Sequence, residues 1–162
     1  MSDYCVVLAD AVRARIFTLE PAQQPELESG PNLVEYRDLV NPEMEQHDKE
    51  LWSEMKSGRN RASSGAAHGY DDHRDKHAEE YVVRFARQVA GDVETLISSN
   101  HSRHVVVLAE KRMLGFLRSS MNLKADVQVH EVAKNLSKLS PSELHSRLAE
   151  DGLLPKRQRP TG

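Results

Sequence analysis

Residues 57–99 carry the reading that decides the fold. They run Ser57-Gly58-Arg59-Asn60-Arg61-Ala62-Ser63-Ser64-Gly65-Ala66-Ala67-His68-Gly69-Tyr70, then Asp71-Asp72-His73-Arg74-Asp75-Lys76-His77-Ala78 and onward to Ser99. The stretch divides at Tyr70. Before it the residues are small, polar or basic with no apolar period, the composition of a flexible loop over 57–70. Beyond it Ala78, Tyr81, Val82, Phe85, Val89, Val93, Leu96 and Ile97 recur at steps of three and four. That period predicts one amphipathic helix over about 71–99. Asp71, Asp72 and Asp75 put negative charge at its start, where free N–H groups and the helix dipole favour it. Lys76 with Glu80, and Glu80 with Arg84, lie one turn apart on the wet face.

A helix with one oily stripe needs a sheet to cover. Tyr4 to Ala9 and His104 to Ala109 are short, continuous apolar runs, the mark of strands buried on both faces. Asp10-Ala11-Val12 turns the chain into a second strand over Arg13 to Leu19, and a tight hairpin joins the two. Three prolines and a glycine make 20–32 a loop. Leu33 to Leu39 reads as a third strand near an edge, with one wet face.

Asn41-Pro42 is a helix start, and Met44, Leu51, Trp52 and Met55 carry a helical period to about Lys56. Met113, Leu114, Leu117 and Met121 predict a helix over 110–121, and Val127 to Val132 the next strand. Strand, helix, strand at this length implies a parallel pair. Ser140, Pro141 and Glu143, with Leu139 before them, form a capping box and staple that open a helix ending near Glu150. The predicted order is β-β-β-(α)-α-β-α-β-α. It gives an α/β fold with a mixed five-stranded sheet in the ribonuclease-H-like order 3-2-1-4-5, flanked by helices. Residues 1–152 form one domain, and the basic tail 153–162 is expected to fray.

With 162 residues the chain is long enough to bury its own core. A net charge of −3 argues against a generally basic nucleic-acid surface but allows a local basic patch. The only cysteine, Cys5, lies in an apolar run and reads as a buried reduced thiol. The run at 4–9 is too short for a signal-peptide core or a membrane span, so the expected compartment is the cytoplasm, with no membrane partner.

Several stretches together resemble a known family. They are Val7 to Phe17 (Val-Leu-Ala-Asp-Ala-Val-Arg-Ala-Arg-Ile-Phe), Leu33 to Glu43 (Leu-Val-Glu-Tyr-Arg-Asp-Leu-Val-Asn-Pro-Glu), Glu79 to Ala86, and Asn135 to Leu144. They are similar to the bacterial host-attachment family, proteins required for attachment to host cells, over about 4–150. That family resembles in turn the middle domain of archaeal and eukaryotic peptide-chain release factors. The resemblance implies a ribonuclease-H-like fold with a long loop before the first major helix. In release factors that loop carries Gly-Gly-Gln, which enters the peptidyl-transferase centre. Here the matching region, Arg59 to Gly69, holds neither a Gly-Gly pair nor a glutamine. What the resemblance then implies is a non-catalytic domain that binds RNA, the ribosome or a protein partner.

Four sets of residues are candidates for chemistry. Lys56, Arg59 and Arg61 can pair phosphate, Gly65 and Gly69 would let the backbone come close to RNA, and His68 between them belongs to the same RNA- or partner-binding set. No aromatic residue interleaves to stack bases, so the bland alternative is a solvated loop. Arg13 and Arg15 form a basic pair on the second strand, which reads either as an RNA contact or as the charge that blunts an exposed strand. His73 and His77, four apart, would share a helix face as zinc or nickel ligands do, though a polar helix start facing water is the favoured reading. Asp10, Glu79 or Glu80, and Glu110 stand roughly where two-metal nucleases of this fold keep carboxylates. Turn chemistry and helix-start charge account for Asp10 and Glu110 without a metal. A metal-dependent hydrolase is therefore the alternative reading, and a purely protein-binding module is a further one. No cofactor is called for.

Overall fold

The computed structural model describes residues 3–45 and 66–162, with side chains in the second segment from His77 onward. Five strands, β1 (Tyr4–Ala9), β2 (Arg13–Glu20), β3 (Asn32–Val40), β4 (His104–Leu108) and β5 (Gln128–Val132), join in the order β3-β2-β1-β4-β5. The first three pair antiparallel; β4 lies parallel to both β1 and β5. The two apolar runs are thus neighbours at the sheet's centre, with Cys5 opposite Val105 and Val7 opposite Val107.

Alternation along the central strands sends side chains to two cores. Cys5, Val7, Ile16, Val105 and Val107 meet Phe85, Val89, Val93, Leu96 and Ile97 of α1 (Ala66–Asn100), together with Met113, Leu114 and Leu117 of α2 (Lys111–Ser120). Val6, Leu8, Phe17, Val106 and Leu108 meet Leu144 and Leu148 of α3 (Pro141–Glu150). A sheet covered on both faces needs central strands with no wet side, which is why β1 and β4 read as unbroken apolar runs.

The helix ends follow local chemistry. Ser140 caps α3, its Oγ accepting from the Glu143 N–H at 3.3 Å, and its hydroxyl donates to the Glu143 carboxylate at 2.9 Å. Gly152, with φ of 76°, supplies the left-handed residue after α3, and the Leu153 N–H closes back on the Leu148 carbonyl at 2.9 Å. After α1 the same device uses His101, with φ of 53°, and the Ser102 N–H donates to the Ile97 carbonyl at 3.1 Å. Histidine in that role leaves no glycine signal in the sequence.

Four sequence expectations change. Helix α1 begins at Ala66, five residues before Asp71, so His68 and Gly69 are helical rather than looped. Alanine at 66 and 67 favours helix enough to carry one glycine, which costs about 1 kcal/mol. Asp71, Asp72 and Asp75 therefore fall beyond the first turn. Arg84, expected beside Glu80, reaches Glu43 at 2.7 Å instead. The tail does not fray: Leu154 is buried, Gln158 bridges Gly30, and the Thr161 N–H donates to the Pro25 carbonyl at 3.0 Å. Of the predicted helix over 42–56, one turn at 42–45 is present; the rest, with Trp52, lies outside the described residues. Among the described residues no helix is long and apolar enough to cross a membrane.

Candidate functional site

Ligands of open α/β sheets bind beyond the carboxyl ends of the strands, where the strand order reverses. Here that place is where β1 and β4 end side by side, and a cleft of about 480 Å³ opens there. The hairpin turn contributes Asp10 and Ala11, α1 contributes Ala78, Glu79 and Val82, and Arg112, Met113 and Phe116 come from α2, with Glu110 just before it. The three carboxylates suggested by the fold thus line one cleft.

Their partners decide what they can do. Oδ1 of Asp10 accepts from the Val12 N–H at 2.8 Å and the Arg13 N–H at 2.7 Å, which fixes the turn between β1 and β2. Glu79 pairs with Arg112 at 2.8 Å, tying α1 to α2 across the cleft. The Arg112 guanidinium also lies 5.9 Å from the Phe116 ring centre, within cation–π range. Glu110 precedes α2 in the N-cap position, but its side chain caps no N–H. Among the described residues no three His, Cys, Asp or Glu side chains lie close enough to hold a metal together. Three carboxylates against one guanidinium leave the cleft negative, a field that repels phosphate.

Arg13 and Arg15 form no free basic stripe. Arg13 donates through Nε to Oδ1 of Asp38 at 2.8 Å and makes a second bond from Nη2 to Oδ2. That fork pulls the Asp38 carboxyl below its ordinary range. Arg15 is buried. Its Nε donates to Glu35, while Nη1 donates to the Ser137 and Leu139 carbonyls at 3.1 and 2.7 Å. The guanidinium also covers the Phe17 ring at 5.0 Å. The pairing comes from β3, which supplies Glu35 and Asp38 opposite β2, a cross-strand arrangement that reading β2 alone does not reveal.

His77 is half-exposed, with Nδ1 3.8 Å from Glu80 and its ring stacked on Tyr81 at 6.3 Å. His73 lies one turn earlier on α1, its side chain outside the described residues, as is that of His68. Lys56, Arg59, Arg61 and Gly65 lie outside the described residues altogether.

Two groupings leave no local signal in the sequence. Buried Asn41 joins the hairpin turn to α1, its Nδ2 donating to the Ala11 carbonyl at 3.0 Å and the Tyr81 carbonyl at 3.2 Å. Tyr4, His104 and His130, on the neighbouring strands β1, β4 and β5, form a row of near-parallel rings with centres 4.6 and 6.3 Å apart. Strand pairing brings the rings together, and the end of β3 meeting the hairpin turn and α1 places Asn41.

A mixed sheet in the order 3-2-1-4-5, flanked by helices, with its crevice between β1 and β4, defines an α/β protein of the ribonuclease-H-like arrangement. The family model described as protein required for attachment to host cells matches residues 5–148, and the chain belongs to that family. A comparison with curated proteins finds no match.

Proposed function

We propose that this host-attachment-family protein is a non-catalytic RNA-binding domain that works at the ribosome through residues 57–70. The observation that carries the reading is the architecture. The sheet order is the one the release-factor resemblance implies, and 66–70, the end of that stretch, are the first residues of a 35-residue helix. Phe85, Val89 and Val93 lock that helix into the core, so its first residues, 66–70, stand on a rigid element. Arg13 and Arg15 are committed to Asp38 and Glu35, and the cleft is negative. Lys56, Arg59 and Arg61 are the phosphate contacts of this reading, followed in sequence by Gly65 and the helical His68 and Gly69. Gly-Gly-Gln is absent, so the role is contact rather than peptidyl-ester hydrolysis.

The test is cosedimentation with ribosomes across a salt series, using the wild-type chain, a variant lacking 59–67, and a Lys56→Gln, Arg59→Gln, Arg61→Gln triple variant. Three phosphate contacts on single-stranded RNA imply that the triple variant flattens the log–log salt slope by about two. Equal pelleting of all three proteins would overturn the reading, and capture of a single protein lost on deleting 59–67 would replace it with a protein-binding one.

One observation favours a second reading, metal-dependent hydrolysis of nucleic acid: Asp10, Glu79 and Glu110 line the same cleft. Turn bonding of Asp10 and the Glu79–Arg112 pair weigh against it. Magnesium- or manganese-dependent RNA cleavage abolished by Glu110→Gln would establish it.

A further inference from the structure

A second opening lies away from the cleft, beneath the connection that leads from α2 to β5. It encloses about 260 Å³ and is lined by Val107, Leu114, Leu117, Met121, Leu123, Val127 and Val129, with Arg118, Lys124 and Glu131 the charged residues around it. Its deepest residues, Val107, Leu114 and Leu117, belong to the buried core. Val129 is 43% exposed, although its neighbour on the sheet, Val105, is fully buried. Interiors of proteins fill gaps of this size, and an apolar crevice left open forfeits contacts on every wall.

The charges around it are unequal. Arg118 and Glu131 neutralise each other through a two-bond pair, with Nε to Oε2 at 2.9 Å. The pair pulls the Glu131 carboxyl below its ordinary range. Lys124 has no ion pair or side-chain hydrogen bond among the described residues. The crevice is thus an oily pocket whose one unneutralised charge is a cation, complementary to a molecule with an aliphatic tail and a single negative head. At roughly 30 Å³ per water-sized group, the volume holds about eight to nine such groups.

We infer that the crevice between α2 and β5 binds a free aliphatic carboxylate of about eight carbons, its tail against Leu114, Leu117, Leu123 and Val129 and its head at Lys124. The inference does not depend on the RNA reading, since the two sites share no residue.

The experiment is calorimetric titration of the full chain with butanoate, hexanoate, octanoate and dodecanoate, each below its micelle concentration. Affinity should rise about fourfold per added methylene, the equilibrium equivalent of burying one CH₂. It should stop rising near eight carbons, when the crevice is full. Octanol should bind more weakly than octanoate, and exposed Lys124→Glu should weaken octanoate by about fivefold or more while leaving octanol unchanged. Lys124→Arg should restore octanoate binding. Val129→Trp should fill the crevice and abolish both; should that variant fail to fold, the Lys124 series and the chain-length series carry the test alone. No saturable octanoate binding, no dependence on chain length, or equal loss of octanol with Lys124→Glu would each overturn the inference. An apolar partner segment as the true occupant would show itself in the same way, as octanoate that fails to bind.

Discussion

Arg15→Ala separates a structural role from an RNA contact. The wild-type side chain is 10% exposed and gives charged hydrogen bonds to Glu35 and to the carbonyls of Ser137 and Leu139, which lead into α3. Charge-assisted bonds contribute about 1.5–3 kcal/mol each when intact, and stripping one partner from a buried pair costs about 3–5 kcal/mol. Glu35 is one-third exposed and turns partly to water once freed, which lowers that figure. The Phe17 ring also loses its cover. The net expectation is about 3 kcal/mol, or a fall in Tm of about 6–12 °C for a chain of this size. Arg15→Lys keeps the charge but loses the fork, so about half the loss should remain. Thermal and urea unfolding read the effect directly, with RNA binding measured on the same samples well below Tm. Arg15→Ala with an unchanged Tm and weakened RNA binding would refute the reasoning and return Arg15 to the surface role its sequence suggested.

Other outcomes follow from the same geometry. Asp10→Ala should destabilise by about 1–2 kcal/mol in urea unfolding, because the Val12 and Arg13 N–H groups lose their acceptor; Asp10→Asn keeps an acceptor oxygen and should cost far less. Acid should weaken the fold with a defined sign. Asp38 and Glu131 are held below their ordinary values of 3.8 and 4.5, by the bonds from Arg13 and Arg118 respectively. A carboxylate lowered in the folded state adds stability above its unfolded pKa and loses it as pH falls through the folded one. The urea midpoint should owe nothing to pH through these pairs near neutrality and should drop below about pH 4.5, and Glu131→Gln should flatten that drop. A drop of the same size in Glu131→Gln would assign it to other groups. Burial pushes the Cys5 thiol up to about 12, so a thiol reagent at mildly alkaline pH should leave the native protein untouched and titrate one group after unfolding. Rapid reaction in the native state would contradict the position of β1 at the sheet's centre.

The sheet was legible because its information is local. Unbroken apolar runs at 4–9 and 104–109 can be satisfied only by strands wrapped on both faces, and the stripe from Ala78 to Ile97 only by a helix across one of them. The start of α3 was legible for the same reason, since Ser140, Pro141 and Glu143 act within one turn. The site was less so, because its features are cross-chain. Arg13 and Arg15 read as an RNA contact or as strand-blunting charge, and neither reading showed their partners Asp38 and Glu35, 25 and 20 residues away in sequence and adjacent in space. Arg112 meets Glu79 from a different helix, and no spacing rule links them. The tail escaped for a similar reason: its anchors are carbonyls at Gly30 and Pro25, which no side-chain pattern announces. The early start of α1 is different, a case where alanine propensity outweighed a loop-like composition.

Hydrogen exchange on the full chain, free and saturated with ribosomes, bears most directly on the proposed role. The account predicts slowed exchange concentrated in peptides covering 57–70, with β2, α2 and the Asp10–Glu110 cleft unchanged. Protection confined to that cleft, or none along 57–70 with ribosomes bound, would contradict it.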